Sequence, residues 1–168
     1  ALNLQTRDIP VSNSHSIDLA YGMRNTMKGH TWFSRSNPRF SYLLEVVHLQ
    51  SDGFKELDSG GETGFDKTEV MFKGRIPTTR GYTELKLGYA QEHSLETYLG
   101  LNALDVQENP YRRYVSSSMG DMSWMRTQTE LTWHFKPSPN WTVHNVAYHH
   151  FLDRSWTKLN GFRNGTSL

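Results

Sequence analysis

Two adjacent arginines, Arg112 and Arg113, lie with Tyr98, Tyr111 and Tyr114 inside LETYLGLNALDVQENPYRRY, residues 95–114. A guanidinium presents a planar fork of donors that matches a carboxylate, so such a pair can hold a carboxylate-rich chelate. Tyrosine adds flat amphipathic surface at low entropy cost, the usual equipment of a binding loop. These five residues form the candidate ligand-binding set. The competing role for the same side chains is structural, with NPYRRY holding the loop in shape.

Other chemistry thins out on inspection. His144, His149 and His150 invite a metal reading, but neighbours on a strand point to opposite faces, so the doublet cannot chelate one ion. The acidic stretch 51–65 sets Asp52, Glu56, Asp58 and Glu62 against Lys55 alone, without the spacing of an EF-hand, and reads as solvated charge. His93 beside Ser94 diverges in the same way as the histidine doublet. No nucleophile elbow, phosphate loop, paired carboxylates or zinc-hydrolase spacing is present, so neither an enzyme nor a cofactor is expected. Cysteine is absent, which removes disulfides and thiolate sites together. With 18 Lys and Arg against 17 Asp and Glu the net charge is +1, and no nucleic-acid partner is expected.

The elements that must position these residues are strands, because the apolar period is 2 almost throughout. In DKTEVMFKGRI (66–76) Val70, Phe72 and Ile76 alternate with Lys67, Glu69, Lys73 and Arg75. TELKLGYAQE (83–92) sets Leu85, Leu87 and Tyr89 against Glu84, Lys86 and Glu92, and SWMRTQTELTWHF (123–135) repeats the pattern. Residues 16–22, 29–35, 39–50 and 140–152 complete seven candidate strands, and no helix is expected. No run of 18 apolar residues occurs, which excludes a helical membrane span but not strands that alternate.

Connections add an asymmetry. SNPR (36–39), PTTRG (77–81) and KPSPN (136–140) are tight, whereas 51–65 and the stretch from His93 to Gly120 are long and polar. If consecutive strands pair antiparallel, short turns gather at one end and long loops at the other, as in outer-membrane barrels. Phe40, Tyr82, Trp133, Phe135 and Trp141 lie near short turns, as an interfacial girdle requires. The fold expected is therefore all-β, an antiparallel transmembrane β-barrel segment with short periplasmic turns and long extracellular loops. A soluble β-sandwich or lipocalin-like barrel has the same alternation and stays open as an alternative. Because bacterial single-chain barrels have an even strand number, seven strands imply an eighth in the tail FRNGTSL or a chain that is part of something larger. On this facing, Val70→Arg should oppose insertion while Lys73→Ala should hardly matter.

Several stretches, taken in order, carry a resemblance. ALNLQTRDIP (1–10), GFDKTEVMFKGRI, ETYLGL, NPYRRY and FLDRSWTKLNG resemble the end of the plug and the early barrel of TonB-dependent outer-membrane receptors, especially the ferric-dicitrate and siderophore branches. The likeness runs from Leu2 to about Gly161. It implies that residues 1–10 end a plug domain and that 14–152 supply the first of the about 22 strands of a plugged transporter. Residues 153–168 would then begin a further extracellular loop. By the same resemblance the chain resides in the outer membrane of a Gram-negative bacterium, among lipid and lipopolysaccharide, as a receptor for energy-coupled transport. Its partners would be an iron chelate or other small ligand, the remaining barrel strands, and TonB through the missing plug region. The likeness leaves open whether a siderophore, citrate chelate, haem, cobalamin or sugar is carried. The chain ends in Thr-Ser-Leu, where such receptors finish on an aromatic residue. Two other readings persist: a small complete outer-membrane barrel of about eight strands, structural or lipid-modifying, and a soluble β-barrel or sandwich that binds a partner protein.

Overall fold

A computed structural model describes residues 5–95 and 97–161. The first four residues of ALNLQTRDIP, Glu96 of ETYLGL and the tail FRNGTSL lie outside the described residues. The chain forms β1 (Ser14–Gly22), β2 (Thr26–Arg35), β3 (Ser41–Ser51), β4 (Glu56–Leu57), β5 (Phe65–Thr78), β6 (Gly81–Ser94), α1 (Ala103–Glu108), β7 (Arg112–Arg113), β8 (Asp121–Ser138) and β9 (Trp141–Thr157). Seven of the strands make one antiparallel sheet in the order β1-β2-β3-β5-β6-β8-β9, and the sheet is not closed into a barrel. Each lies where alternation places a strand, and β9 continues to Thr157, beyond Leu152.

Register assigns every side chain to one of two faces, because directly opposed residues share a side. One face carries Ile17, Leu19, Phe33, Leu44, Val46, Val70, Phe72, Leu85, Leu87, Leu131, Trp133 and Phe135, aligned through pairs such as Leu44↔Phe72↔Leu87. The other carries Glu45, Glu69, Lys73, Arg75, Glu84, Lys86, Arg126 and Glu130. Aromatic contacts knit the apolar face: Phe33, Phe40 and Phe72 each meet Tyr42, and Trp133 stacks on Phe135 at 5.4 Å. Tyr82 departs from the expected girdle. It lies on the polar face, stacked on His134 and under the Arg75 guanidinium.

Burial is the reverse of what a water-soluble sheet shows. Among the described residues the buried apolar side chains are Ile9, Leu43, Ala90 and Met122, and the last three belong to the polar face. The apolar face is open, with Leu87 at 41%, Leu131 at 47% and Leu19 at 78% exposure. What covers the polar face is chain from residues 5–10. Lys73 Nζ donates to the carbonyls of Arg7 (2.7 Å) and Thr6 (3.5 Å), Arg7 lies over Trp32 and near Glu45, and Arg75 approaches Asp8. Lys73 is thereby only 5% exposed, which corrects the expectation of an idle wet-face lysine.

The separation of short turns from long loops holds with one exception. The β1–β2 connection lies at the long-loop end yet is tight, with Arg24 (φ 56) and Asn25 (φ 51) both left-handed and Thr26 N bonded to Met23 O. Paired left-handed residues are what a two-residue hairpin turn needs to match strand twist, and asparagine tolerates that region well. At the opposite end Gly81 is required by close approach, since a Cβ there would lie 1.9 Å from the carbonyl oxygen of His134.

Candidate functional site

The two long connections do not hang free; they are joined into one cap. β4 and β7 pair in parallel, Glu56 opposite Arg112 and Leu57 opposite Arg113, and flanking bonds run from Glu56 N to Tyr111 O and from Asp58 N to Arg113 O. The loop expected to lack regular structure also contains α1. Its origin is legible locally: Asn102 caps the helix, its Oδ1 accepting from Leu104 N and Asp105 N, and Asp105 stands in the positive first turn. A helix this short escapes a search for apolar periodicity, although Asn-Ala-Leu-Asp is a capping signature.

Arg112 is the centre of this cap. Its Nε and Nη2 reach the two oxygens of Asp58 at 2.9 and 3.2 Å, while Nη1 reaches Asp105 at 2.9 Å. The hydrogen bond to Asp58, reinforced by the nearby carboxylates, holds the guanidinium pKa above its ordinary range. Asp105 also accepts from the Tyr114 hydroxyl, and that bond raises the phenol pKa. Arg112 lies over the Tyr114 ring at 5.2 Å. The bidentate geometry anticipated for a ligand carboxylate is thus met by Asp58, one of the acids read from sequence as solvated charge.

Arg113 points inward and is 1% exposed. It donates to the carbonyls of Leu95, Ser117 and Gly120 and to Ser117 Oγ, tying both ends of the long loop together. Burial lowers its pKa, and guanidinium remains charged in any case. Tyr98 and Tyr111 go elsewhere. Tyr111 lies under Arg24 of the β1–β2 turn, and Tyr98 meets Trp156 edge-on at 5.8 Å with Lys158 over both rings. Of the five candidate residues, the structure therefore joins Arg112 to Tyr114, makes Arg113 an internal fastener, and sends the remaining two tyrosines to separate neighbours.

The histidines fall apart as strand geometry requires. His149 stands opposite Thr129 on the apolar face, and His150 opposite Gln128 on the polar one. His93 pairs with Asp121 at 2.6 Å and is on the other side of the sheet from Ser94. Among the described residues no three histidines and acids are grouped as a metal site.

What the arrangement offers is a firm, charge-balanced cap at one end of a wall whose polar face is partly roofed by residues 5–10. Comparison with protein-family models, curated proteins and solved structures returned no match.

Proposed function

We propose that this chain is part of the wall of an outer-membrane β-barrel, belonging to a receptor of the TonB-dependent kind for uptake of a scarce chelate. The observation that carries the reading is the inverted burial. In β1, β5 and β6 most of the large apolar residues lie on an uncovered side, while the side that residues 5–10 cover carries most of the charges. A sheet in water with so little apolar burial lacks the main driving force for folding, and an apolar face this broad needs a nonaqueous neighbour.

The apolar run also drifts across the register. It centres on Leu19 in β1 and on Leu87 in β6, whereas strict register aligns Leu19 through Gly29, His48 and Thr68 with Gln91. Gln91 minus Leu87 is a shift of four residues over four strand steps. At ~3.3 Å per residue and ~4.8 Å per strand, this corresponds to an inclination of about 35°. Barrel strands crossing a flat slab are tilted by about 35–45°.

Further strands would pair with the free edges of β1 and β9, and residues 5–10 would continue from a domain filling the lumen, in keeping with the motif order of the resemblance. Among the described residues the edge strands β1 and β9 do not pair with each other. The loop cap would face the exterior, where ligand selection is left to loops and lumen-facing side chains.

Quenching by lipids brominated along their acyl chains tests the reading in single-tryptophan variants. Trp133 should be quenched, and Trp32, on the polar face beneath Arg7, should not. Equal protection of both would remove the membrane from the proposal. Dependence of chelate uptake on TonB in whole cells tests the receptor assignment separately.

A further inference from the structure

The three short turns at one end of the sheet differ from the rest of the chain in charge. Residues 31–44, 70–83 and 131–152, which make these turns and the strand ends beside them, contain no Asp or Glu, yet they hold Arg35, Arg39, Lys73, Arg75, Arg80 and Lys136. Lys73, Arg75 and Arg80 are engaged within the chain. Lys73 donates to residues 6 and 7, Arg75 meets Glu84 and, at 3.9 Å, Asp8, and Arg80 donates to the Pro137 carbonyl at 3.2 Å, tying one short turn to the next. Arg35, Arg39 and Lys136 are exposed, and their side chains have no hydrogen bond or ion pair among the described residues.

The position of these cations is that of a membrane border. Arg35 stands on the apolar face, opposite Tyr42, whose ring meets Phe33 and Phe40. Gly29 opposes Leu19, and the drift of one residue per strand carries the midplane in β2 to His30, five residues from Arg35. With ~3.3 Å rise per residue and a tilt near 40°, Arg35 lies about 12 Å from the midplane, at the edge of a hydrocarbon band about 25 Å tall. In β8 the same drift moves the midplane from Thr129, opposite Leu87, to Glu130, so Phe135 is also five residues out, with Lys136 next to it. Besides Arg35, the Asp, Glu, Lys and Arg side chains that register assigns to the apolar face are Asp66, Asp121 and Asp153, all at the long-loop end. One border therefore offers free cations to a headgroup layer, and the other offers acids.

We propose that the short-turn border is a docking surface for anionic phospholipid headgroups of the phosphatidylglycerol type. Charge complementarity carries the assignment: each guanidinium presents a planar fork to a phosphodiester, and the lysine gives a point charge. Phe40, Phe135 and Trp141 stand beside the cations, and aromatic rings settle at headgroup level. The assignment rests on the apolar face meeting lipid.

Local enrichment of a headgroup is read by tryptophan quenching in phosphatidylcholine vesicles that carry a small, equal fraction of either brominated phosphatidylglycerol or brominated phosphatidylcholine. Trp141, 69% exposed at the β8–β9 turn, reports on Lys136 in a single-tryptophan variant. Phe40→Trp in a tryptophan-free background reports on Arg35 and Arg39. At low salt the anionic lipid should be enriched about fivefold for each nearby cation. Salt at about 1 M, where the screening length is about 3 Å, should abolish the preference. Lys136→Gln should lower the enrichment about fivefold at Trp141 and leave the Phe40→Trp reading unchanged, and Arg35→Gln and Arg39→Gln should do the converse. These side chains hold no internal contact, so the variants should keep their strands by circular dichroism. Equal quenching by the two lipids in folded protein, a preference that persists in salt, or one indifferent to all three Gln substitutions would overturn the proposal. Trp133 separates the two failures: protected from both brominated lipids it removes the membrane, whereas quenched without preference at either turn it removes only the headgroup surface.

Discussion

An arginine scan down the apolar face separates lipid contact from ordinary packing. Leu87 marks the centre of the β6 apolar run and opposes Phe72, with Val70 two residues from that level and Ile76 four. With ~3.3 Å rise per residue and a tilt near 40°, each residue changes depth by about 2.5 Å, and the drift of about one residue per strand moves the midplane in β5 from Phe72 to the level of Met71, which puts Val70 ~2.5 Å and Ile76 ~12 Å from it. The hydrocarbon-facing band of such barrels is about 25 Å tall, and arginine costs about 2–4 kcal/mol at its centre and about 0–1 kcal/mol near its borders. Leu87→Arg and Val70→Arg should therefore each cost about 2–4 kcal/mol and Ile76→Arg about 0–1. Packing in water predicts another order, because Val70 is half-buried while Leu87 is 41% and Ile76 55% exposed. Burial alone would make Val70→Arg the most damaging. Equilibrium unfolding in phosphatidylcholine vesicles, followed by tryptophan fluorescence, measures the three. A larger penalty at Val70 than at Leu87, or three equal penalties, would refute the lipid-facing assignment.

Lys73→Ala should free residues 5–10 by removing the donor to Arg7 O, at a cost of about 1.5–3 kcal/mol for a charged hydrogen bond. Limited proteolysis near Ile9 should accelerate without loss of strand content. Arg113→Met should leave the Leu95, Ser117 and Gly120 carbonyls without their shared donor and loosen the cap by about 2–3 kcal/mol, read as faster amide exchange at Leu95 and Asp58. Tyr114 gives a pH dependence: its folded pKa is raised, so the bond to Asp105 contributes fully below the ordinary tyrosine value of 10.0 and is lost as pH rises through the higher folded one. Ultraviolet titration should show that phenol ionising late, and Asp105→Asn should return it toward the ordinary value.

Alternation in the sequence determined the seven main strands and the split into a greasy and a charged face. A two-residue period is a local property: once Val70, Phe72 and Lys73 are in extended backbone, their sides are fixed relative to one another. The tight turns were legible for the same reason, since Pro, Gly and Asn act within a few residues. The β1–β2 turn escaped because its left-handed pair is Arg24–Asn25, without the usual glycine. Only tertiary structure decided the fate of the arginines. Arg112 meets Asp58 across 54 residues of chain, and Arg113 reaches back to Leu95, pairings that depend on two loops being brought together above one end of a sheet. Residue types alone could say that a guanidinium would find a carboxylate; whether the carboxylate belonged to a ligand or to the neighbouring loop was set by the β4–β7 pairing. The same holds for Lys73, whose burial follows from where residues 5–10 cross the sheet, a long-range contact that no local period encodes.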